Sequence, residues 1–523
     1  MSLSLDQDVI LLQLAAAAMQ VGTKDPVLPD GWSLLCTLQP DGSQSPPCPK
    51  SFGFYAIGSL TTGGPTVAVL ALGLSWAAFF GEYISETLDM STMRGFLPAA
   101  PTAAFESQMQ PVYLQMRAGI WGNLSRISGK PLYITGMAAG GPLAQLATLD
   151  LRPGNSGPNK IQAPAQSSAC RTFSTPICGN TDLATYYQTK VPDSTAMVVG
   201  SAANPIDFFP LRPADGEEGA SLIYAHCGTI QTVNATRPTP YDDPWVERSA
   251  PFYQAALGGE PSPPPSSPGN VVDPPAGFSQ DMALSLAFLC AATYQFRQHP
   301  AAVLPFPTAP FVYDSDITIN GVVLASVFTC ERSVAVAFRG PVTWQETLSS
   351  TTNLYRGIAD FLASDDASVH QGALLLYTAP VVTGQPQTVR EALAAKLRTL
   401  ASANKPVYLT GHDLGGVLAI LAAADLAVNQ TALPVAGVYT FGAPPAGSFV
   451  FAYSVYNGLP AANGRPLGQV SYHLYRPTDF MPKLWKPYGY EQVDNPVRLN
   501  GIPENDDPGT AHALTGYIDL LTI

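Results

Sequence analysis

The residues most able to do chemistry stand at two turns with the pattern Gly-x-x-x-Gly. They are Gly136-Met-Ala-Ala-Gly140 in the first half of the chain and Gly411-His-Asp-Leu-Gly415 in the second. Each turn follows a short apolar strand and leads directly into an apolar helix. A strand-to-helix turn of this kind strains its central residue and presents it as a nucleophile. The central residues are Ala138 and Asp413, so neither turn carries a serine.

The two turns lie in segments that match one another. Lys130–Ala144 matches Lys405–Ala419 with nine identities. Three further pairs match in the same order: Val67–Gly73 with Val334–Gly340, Thr172–Pro176 with Thr440–Pro444, and Pro205–Pro210 with Pro477–Pro482. Matches in one order at similar spacing indicate an internal repeat. We therefore predict that the chain consists of two diverged copies of one domain.

A proline-rich segment separates the two copies. Residues 258–277 contain seven prolines among mostly small and polar residues, a composition typical of an extended spacer. We predict domains at residues 1–257 and 278–523, joined by this linker.

The pattern of apolar residues predicts the elements that hold the turns. Each copy opens with an apolar helix, Val9–Met19 and Met282–Tyr294. Short strands, Tyr133–Thr135 and Tyr408–Thr410, precede the turns, and the continuous apolar run Val334–Phe338 is typical of a strand buried on both faces. Short apolar runs alternate with longer helical patterns, which predicts a three-layer α/β domain in each half.

Composition narrows the classes of partner. The net charge is −13 without a cluster of Lys or Arg, so we expect no nucleic acid partner. No cofactor or metal-binding motif is evident, and the seven cysteines are scattered. With only 12% charged residues, the surface favours a lipid-like ligand or a protein partner.

The chain carries no evident membrane or export signal. The longest apolar stretch, Thr66–Phe80, is too short for a transmembrane segment. The first residues include acids rather than a basic segment, so we expect no signal peptide. We expect synthesis in the cytoplasm, with export by a signal-independent route left open.

The second half resembles the class 3 (fungal-type) lipases over nearly its whole length, and the first half resembles them more weakly. The motifs that carry the resemblance are Phe338-Arg-Gly340, Val369–Gly372, Gly411–Gly416, Tyr439–Pro444, Arg476–Pro482, and His512 five residues before Tyr517. The resemblance implies a tandem pair of three-layer α/β-hydrolase domains with mostly parallel central sheets. It also implies a nucleophile position at Asp413, an orienting acid at Asp479 and a general base at His512, in the α/β-hydrolase order.

The first half departs from the family at two of the three positions that the resemblance assigns. Ala138 replaces the serine and has nothing with which to attack a substrate. Asp207 stands at the acid position, but Arg248 stands where the family has histidine. We therefore predict that the first domain is catalytically inactive.

The second half departs from the family at the turn and beside it. Asp413 replaces the serine. In the family, Phe-Arg-Gly is followed by Thr or Ser, whose backbone N–H helps to bind the oxyanion. Pro341 stands there and has no N–H, so the amide of Leu414 is the remaining donor in this impaired oxyanion site.

These departures leave several functions open. The favoured hypothesis is a binding or structural pseudoenzyme that has lost ester hydrolysis, with Asp413 paired to His512. A residual ester hydrolase is the second. The third is an Asp-nucleophile hydrolase using Asp413, His512 and Asp479, because Gly-His-Asp-Leu-Gly also resembles the turns of haloalkane dehalogenases and epoxide hydrolases. Replacement of serine by design stays open as well.

Overall fold

The computed structural model describes two compact units, residues 3–233 (the N-terminal unit) and residues 277–522 (the C-terminal unit). The described residues are 3–19, 21, 25–41, 52–73, 90–92, 103–106, 109–138, 140–164, 168–175, 179–199, 224–225, 227–233, 277–298, 308, 310–341, 356–362, 364, 366–401, 405–479, 481–486, 489–493, 495–500 and 511–522.

The N-terminal unit contains four α-helices and eleven strands within its described residues. The helices are α1 (Leu5–Ala18), α2 (Met109–Gly122), α3 (Gly140–Asp150) and α4 (Thr181–Lys190). The strands are β1 (Ser33–Thr37), β2 (Gly53–Gly58), β3 (Val67–Leu72), β4 (Met90–Thr92), β5 (Ala104–Glu106), β6 (Leu132–Met137), β7 (Ala169–Phe173), β8 (Gly179–Asn180), β9 (Ser194–Val199), β10 (Tyr224–Ala225) and β11 (Thr229–Val233).

The C-terminal unit contains five α-helices and eleven strands within its described residues. The helices are α5 (Gln280–Gln298), α6 (Gln371–Thr378), α7 (Val389–Leu400), α8 (Leu414–Asn429) and α9 (Leu514–Leu521). The strands are β12 (Val312–Ile319), β13 (Val322–Thr329), β14 (Val334–Phe338), β15 (Arg356–Ile358), β16 (Ser368–His370), β17 (Val407–His412), β18 (Val435–Phe441), β19 (Gly447–Ser448), β20 (Ser471–Tyr475), β21 (Tyr490–Glu491) and β22 (Asn495–Arg498).

Each unit is built on a seven-stranded, mostly parallel sheet. The orders are β1-β2-β3-β6-β7-β9-β11 and β12-β13-β14-β17-β18-β20-β22. In both sheets the first three strands are antiparallel neighbours and the remaining pairs are parallel. Each unit also has a smaller four-stranded sheet. Parallel neighbours bring the carboxyl ends of β14, β17 and β18 to one edge, where the candidate site lies.

Helices cover both faces of each central sheet. In the C-terminal unit, Ala335, Ala337 and Tyr408 form one apolar cluster with α5 and α9. Their neighbours of opposite parity, such as Val336 and Leu409, are equally buried, and α8 packs on β14, β17 and β18. In the N-terminal unit, α1 and α3 both pack on β3, β6 and β7. Each unit is therefore a three-layer α/β domain, as the sequence predicts.

The predicted elements differ from the structure mainly at their ends. The strand Val334–Phe338 is observed with the predicted bounds. Helix α1 begins four residues before the predicted Val9, because Ser4 and Gln7 form a capping box at its N-terminus. Apart from residue 277, the predicted linker 258–277 lies outside the described residues, so the domain boundaries stay predictions. Among the described residues, no helix has the length and apolar character needed to span a membrane.

Candidate active site

In the C-terminal unit, the strand-to-helix turn centres on a buried aspartate. Strand β17 ends at His412, α8 begins at Leu414, and Asp413 between them has φ 56° and ψ −134°. Its N–H donates to the Phe441 carbonyl at 3.0 Å, and its carbonyl accepts from Gly416 N–H at 2.9 Å. A non-glycine residue with positive φ is strained. The turn therefore has the conformation that presents a nucleophile, with a carboxylate at its tip.

The flanking glycines make this turn possible. A Cβ on Gly411 would lie 2.1 Å from the Gly415 carbonyl oxygen, and one on Gly415 would lie 2.3 Å from the Phe338 oxygen. Larger residues would push the helix away from the sheet. The Gly-x-x-x-Gly spacing is thus a packing requirement of the turn.

The structure brings Asp413, His512 and Asp479 together in one buried row. His512 Nδ1 lies 2.8 Å from Asp479 Oδ2, and His512 Nε2 lies 3.6 Å from Asp413 Oδ2. None of the three side chains is exposed to solvent. The imidazole therefore lies between two carboxylates, and the arrangement joins a potential nucleophile to a potential proton carrier.

Contacts from three directions fix the Asp479 carboxylate. Its Oδ1 accepts the Met481 N–H at 2.9 Å, and its Oδ2 accepts the Tyr517 hydroxyl as well as His512. Gly442, with φ +57°, packs so closely that an added Cβ would lie 2.6 Å from Asp479 Oδ2. Sequence reasoning used Tyr517 and Gly442 only as motif markers, and their partners could not be seen along the chain.

A second histidine holds the backbone of the first. His412 Nε2 lies 2.8 Å from the His512 carbonyl oxygen, which can only accept, so this nitrogen carries the hydrogen. His412 Nδ1 lies 3.0 Å from the Tyr294 hydroxyl, which accepts the Gly340 N–H at 2.9 Å. These hydrogen bonds link Gly340 to His512 through Tyr294 and His412, so His412 has a packing and hydrogen-bonding role.

The two carboxylates determine the protonation of His512. Burial alone would lower its pKa, but the charge of Asp479 and the bonds to Asp413 and Asp479 outweigh burial and raise the pKa to about 10. The two carboxylates therefore favour the imidazolium form of the ring, which carries hydrogen on both nitrogens. In this state it can donate a proton and cannot accept one.

A cavity lies directly beside the turn. Its volume is about 300 Å³, and its lining is mostly aliphatic: Ile319, Asn320, Val322, Leu324, Arg339, Gly340, Pro341, Leu376, Leu414 and Leu418. Pro341 and Leu414, the two residues assigned to the impaired oxyanion site, share this cavity. Gly340 also packs against Asp413, since a Cβ on Gly340 would lie 2.9 Å from the Asp413 Cβ. The site thus adjoins a space that suits an apolar group.

The N-terminal unit has the same turn without a reactive side chain. Ala138 has φ 49°, its N–H donates to the Phe173 carbonyl at 3.0 Å, and its carbonyl accepts from Gly141. Buried Ser174, with φ 46°, stands where the other unit has Gly442. Ser174 therefore has a side chain at a position where, in the C-terminal unit, even a Cβ would lie too close to Asp479 and His512. Asp207 and Arg248 lie outside the described residues.

Each unit also contains a buried carboxylate cluster that sequence reasoning missed. Asp150 of α3 accepts from the Tyr113 hydroxyl, Arg117 and the Trp121 indole. Asp425 of α8 accepts from Tyr377, Arg390 and Asn429. Both aspartates stand fourteen residues after the first glycine of their turn. The signal was an acid in an apolar helix, which needs partners when buried. Among the described residues, no cluster of three His, Cys, Asp or Glu could hold a metal ion.

Comparison with known proteins gives consistent matches. The family profile described as Lipase (class 3) matches residues 73–213 and 335–488, more than half of the chain. Phospholipase A(1) DAD1, chloroplastic, of Arabidopsis thaliana is 35% identical over 127 residues, which are 23% of this chain and 28% of that protein. A lipase of Rhizopus niveus is 32% identical over 144 residues, 27% of this chain and 34% of that protein.

Solved structures of fungal lipases are also similar. The structure of a fungal lipase–inhibitor complex matches with 20% identity and a TM-score of 0.35, covering 43% of this chain and 82% of that chain. This chain spans about a third of the length of the two curated relatives named above.

Proposed function

This chain belongs to the class 3 lipase family. From that premise we propose that it has lost serine-based ester hydrolysis and serves as a pseudoenzyme that binds a ligand. Its C-terminal unit binds an apolar, lipid-like ligand in the cavity beside Pro341 and Leu414. The relatives are named as lipases and phospholipases, so the ligand class is the one that their names indicate.

The observation that carries this proposal is the carboxylate of Asp413 at the tip of the turn, 3.6 Å from His512 Nε2. A carboxylate that attacked an ester would form a mixed anhydride, which is more reactive than the ester and therefore a poor intermediate. His512 is protonated between two acids and cannot serve as the general base that a serine mechanism needs. Both steps of ester hydrolysis are therefore blocked at the same place.

A second defect lies in the lining of the cavity. Pro341 has no N–H to offer an oxyanion, which leaves the Leu414 amide at the start of α8. Loss of one such donor typically costs about two to three powers of ten in rate. The two lesions are independent, so a change at either position alone should restore at most a small part of the activity of a serine lipase.

The N-terminal unit is proposed to be a non-catalytic copy. Ala138 supplies no nucleophile, and Ser174 fills the space that Gly442 leaves for the acid–histidine pair. The repeated cluster of an aspartate, a tyrosine and an arginine around Asp150 and Asp425 supports a tandem duplication.

We also propose that the chain is synthesised in the cytoplasm. A protein partner is the alternative to a lipid-like ligand.

A hydrolase acting through Asp413 is the second candidate. The contact between Asp413 and His512 favours it, because a carboxylate and a proton carrier in this geometry could support covalent catalysis. Residual ester hydrolysis is the remaining alternative.

Two neighbouring leucines of α6 provide a matched test of ligand binding. Leu376 lines the cavity, whereas Leu375 is 57% exposed. We expect Leu376→Trp to fill the cavity and weaken binding of a fluorescent fatty alcohol at least tenfold, or about 1.4 kcal/mol. Leu375→Trp should leave the affinity within about twofold. Equal affinities in both variants would mean that the ligand does not bind in this cavity.

Ester hydrolysis is tested in the same preparation. We expect no turnover of short-chain or long-chain acyl esters by the natural chain. Asp413→Ser combined with Pro341→Thr should introduce activity, since it provides both a nucleophile and a second oxyanion donor. Ester turnover by the natural chain that is abolished in His512→Ala would contradict the proposed loss of function.

A further inference from the structure

Two hydroxyl side chains follow strand β7 of the N-terminal unit at positions where the C-terminal unit has none. Ser174 stands at the position of Gly442, and Thr175 stands at the position of Ala443. Both residues are buried, with 1% and 0% of their surfaces exposed. Within the described residues, neither hydroxyl has a hydrogen-bond partner. Because an unpartnered hydroxyl is costly to bury, this pair indicates a polar ligand.

The hydroxyls lie beside the N-terminus of helix α3. A Cβ added to Gly141, the second residue of the helix, would lie 2.1 Å from Thr175 Oγ1. The Gly141 N–H donates to the Ala138 carbonyl at 3.0 Å. Pro142 has no N–H, and Gly140 at the start of the helix presents its amide toward the same end. The positive end of the helix dipole favours an anion over a neutral ligand.

The C-terminal unit indicates where such an anion would lie. There the Asp413 carboxylate stands at the tip of the turn, 3.6 Å from His512 Nε2. A Cβ on Gly442 would lie 2.9 Å from His512 Cε1. By this match, the side chain of Ser174 takes the place of the imidazole, and Ala138 lacks the carboxylate that the imidazole faces.

The neighbouring strand has also exchanged a large side chain for a small one. Thr440 pairs with His473 in the sheet, and its Oγ1 lies 3.0 Å from His473 Nδ1. The matching Thr172 pairs with Ala196. In the part of the chain that the structure describes, Thr172 Oγ1 has no hydrogen-bond partner. The N-terminal unit has therefore lost both ionisable groups, Asp and His, on this side of the turn while keeping or gaining hydroxyl donors.

We propose that the N-terminal unit binds a small oxyanion, about the size of formate, between Ser174, Thr175 and the Gly140 N–H. Alanine and aspartate side chains differ by one carboxylate group, so the anion supplies the group that Ala138 lacks. Ser174 donates to it the hydrogen bond that His512 offers in the other unit. Binding changes no covalent bond, and it does not depend on the cavity of the C-terminal unit.

The test uses the full chain with sodium formate as the probe and sodium chloride at equal ionic strength as the reference. Calorimetry follows the unfolding transition of the N-terminal unit, identified as the transition that Asp425→Asn does not move. Formate at about one hundred times its Kd should raise the Tm of this transition by roughly 5–11 °C.

Two threonine variants form a matched pair for the affinity. Thr175→Val removes the hydroxyl and keeps the shape, so the Kd from nuclear magnetic resonance of carbon-13 formate should rise about tenfold or more. Thr185→Val makes the same change at an exposed threonine of α4 and should leave the Kd within about twofold.

A third variant supplies the anion from the chain itself. Ala138→Asp places a carboxylate at the tip of the turn, so we expect its Tm without formate to rise and its response to formate to disappear. Without formate, Thr175→Val should unfold at the same temperature as the natural chain or a higher one, because its hydroxyl then has no partner to lose.

Each contrary result overturns the site. A natural chain whose Tm does not respond to formate has no such site, and an equal response to chloride would exclude an oxyanion. A response that survives both Ser174→Ala and Thr175→Val would place the anion elsewhere. If Thr175→Val loses stability without formate, the chain or water already satisfies the hydroxyl.

Discussion

Gly442 offers the sharpest test of how the C-terminal site is held together. Its φ is +57°, and a Cβ added there would lie 2.6 Å from Asp479 Oδ2 and 2.9 Å from His512 Cε1. Neither group can move easily, because both are fully buried and Asp479 is also bonded to the Met481 amide. We expect Gly442→Ala to break the 2.8 Å bond between His512 and Asp479.

The size of the effect follows from two contributions. A left-handed backbone costs a residue with a Cβ about 1–2 kcal/mol. Separating a buried ion pair costs a further ~3–5 kcal/mol. Gly464 serves as the control, because its φ is +70° but an added Cβ would meet nothing within 4 Å. Gly464→Ala therefore carries only the backbone cost. The difference between the two variants should be roughly 3–5 kcal/mol, or ~6–20 °C in the Tm of a domain of this size.

Thermal unfolding of the full chain measures this difference. The two units need not unfold together, so unfolding should be followed by calorimetry, which can resolve two separate transitions. Nuclear magnetic resonance of His512 provides a second readout, because displacement of Asp479 should lower its pKa. If Gly442→Ala and Gly464→Ala lose the same stability and the His512 pKa does not change, the reasoning is refuted.

Three further predictions follow from the same contacts. The surroundings raise the pKa of His512 from 6.5 to about 10 in the folded state. The stability that His512 contributes is therefore complete below about pH 6.5 and is lost as the pH rises through about 10. Denaturant titrations across this range should show the free energy of unfolding decreasing with pH, with a slope that Asp413→Asn reduces. In the background of Asp413→Ser, adding Pro341→Thr should raise ester hydrolysis by about two to three powers of ten, and equal kcat/KM values would exclude an oxyanion role for residue 341. Asp425→Asn should lower the free energy of unfolding in denaturant by roughly 2–3 kcal/mol, less than for a fully buried pair because its arginine partner is partly exposed. The control Asp366→Asn, at an exposed aspartate, should lower it by less than about 0.5 kcal/mol. Similar losses in both variants would mean that the buried cluster does not stabilise the fold.

Much of the fold could be predicted because its signals are local. The run Val334–Phe338 is apolar at every position, which indicates a strand buried on both faces, and the structure has that strand. The Gly411–Gly416 turn was equally readable, since its glycines are required by close approach of β17 and α8. The start of α1 was missed although its capping box is also local, because the prediction followed apolar residues only.

The contacts that hold the site together were harder to predict because they join residues that are far apart in the chain. Tyr517 is 38 residues from Asp479, and Tyr294 is 118 residues from His412. A tyrosine in an apolar helix is an ordinary core residue until its hydroxyl has a partner. The cluster around Asp425 is similar, since the acid alone signals only that some donor must be near. The resemblance to class 3 lipases could name the acid and the histidine, but the groups that orient them depend on how the chain folds.

Comparison of the two units indicates which features of the C-terminal site bear on chemistry. Ala138 keeps the strained conformation of the turn although it has no reactive group. The strain is therefore a consequence of the glycine packing, and the conformation of Asp413 is not by itself a sign of catalysis. The space at residue 442 is different. The N-terminal unit has Ser174 at the matching position. The backbone of this fold therefore does not itself require a glycine there. What Gly442 preserves is room for His512 against Asp479, a buried pair that contributes to the stability of this unit. The space at Gly442 therefore distinguishes the C-terminal site from the matching turn of the N-terminal unit, where Ser174 stands.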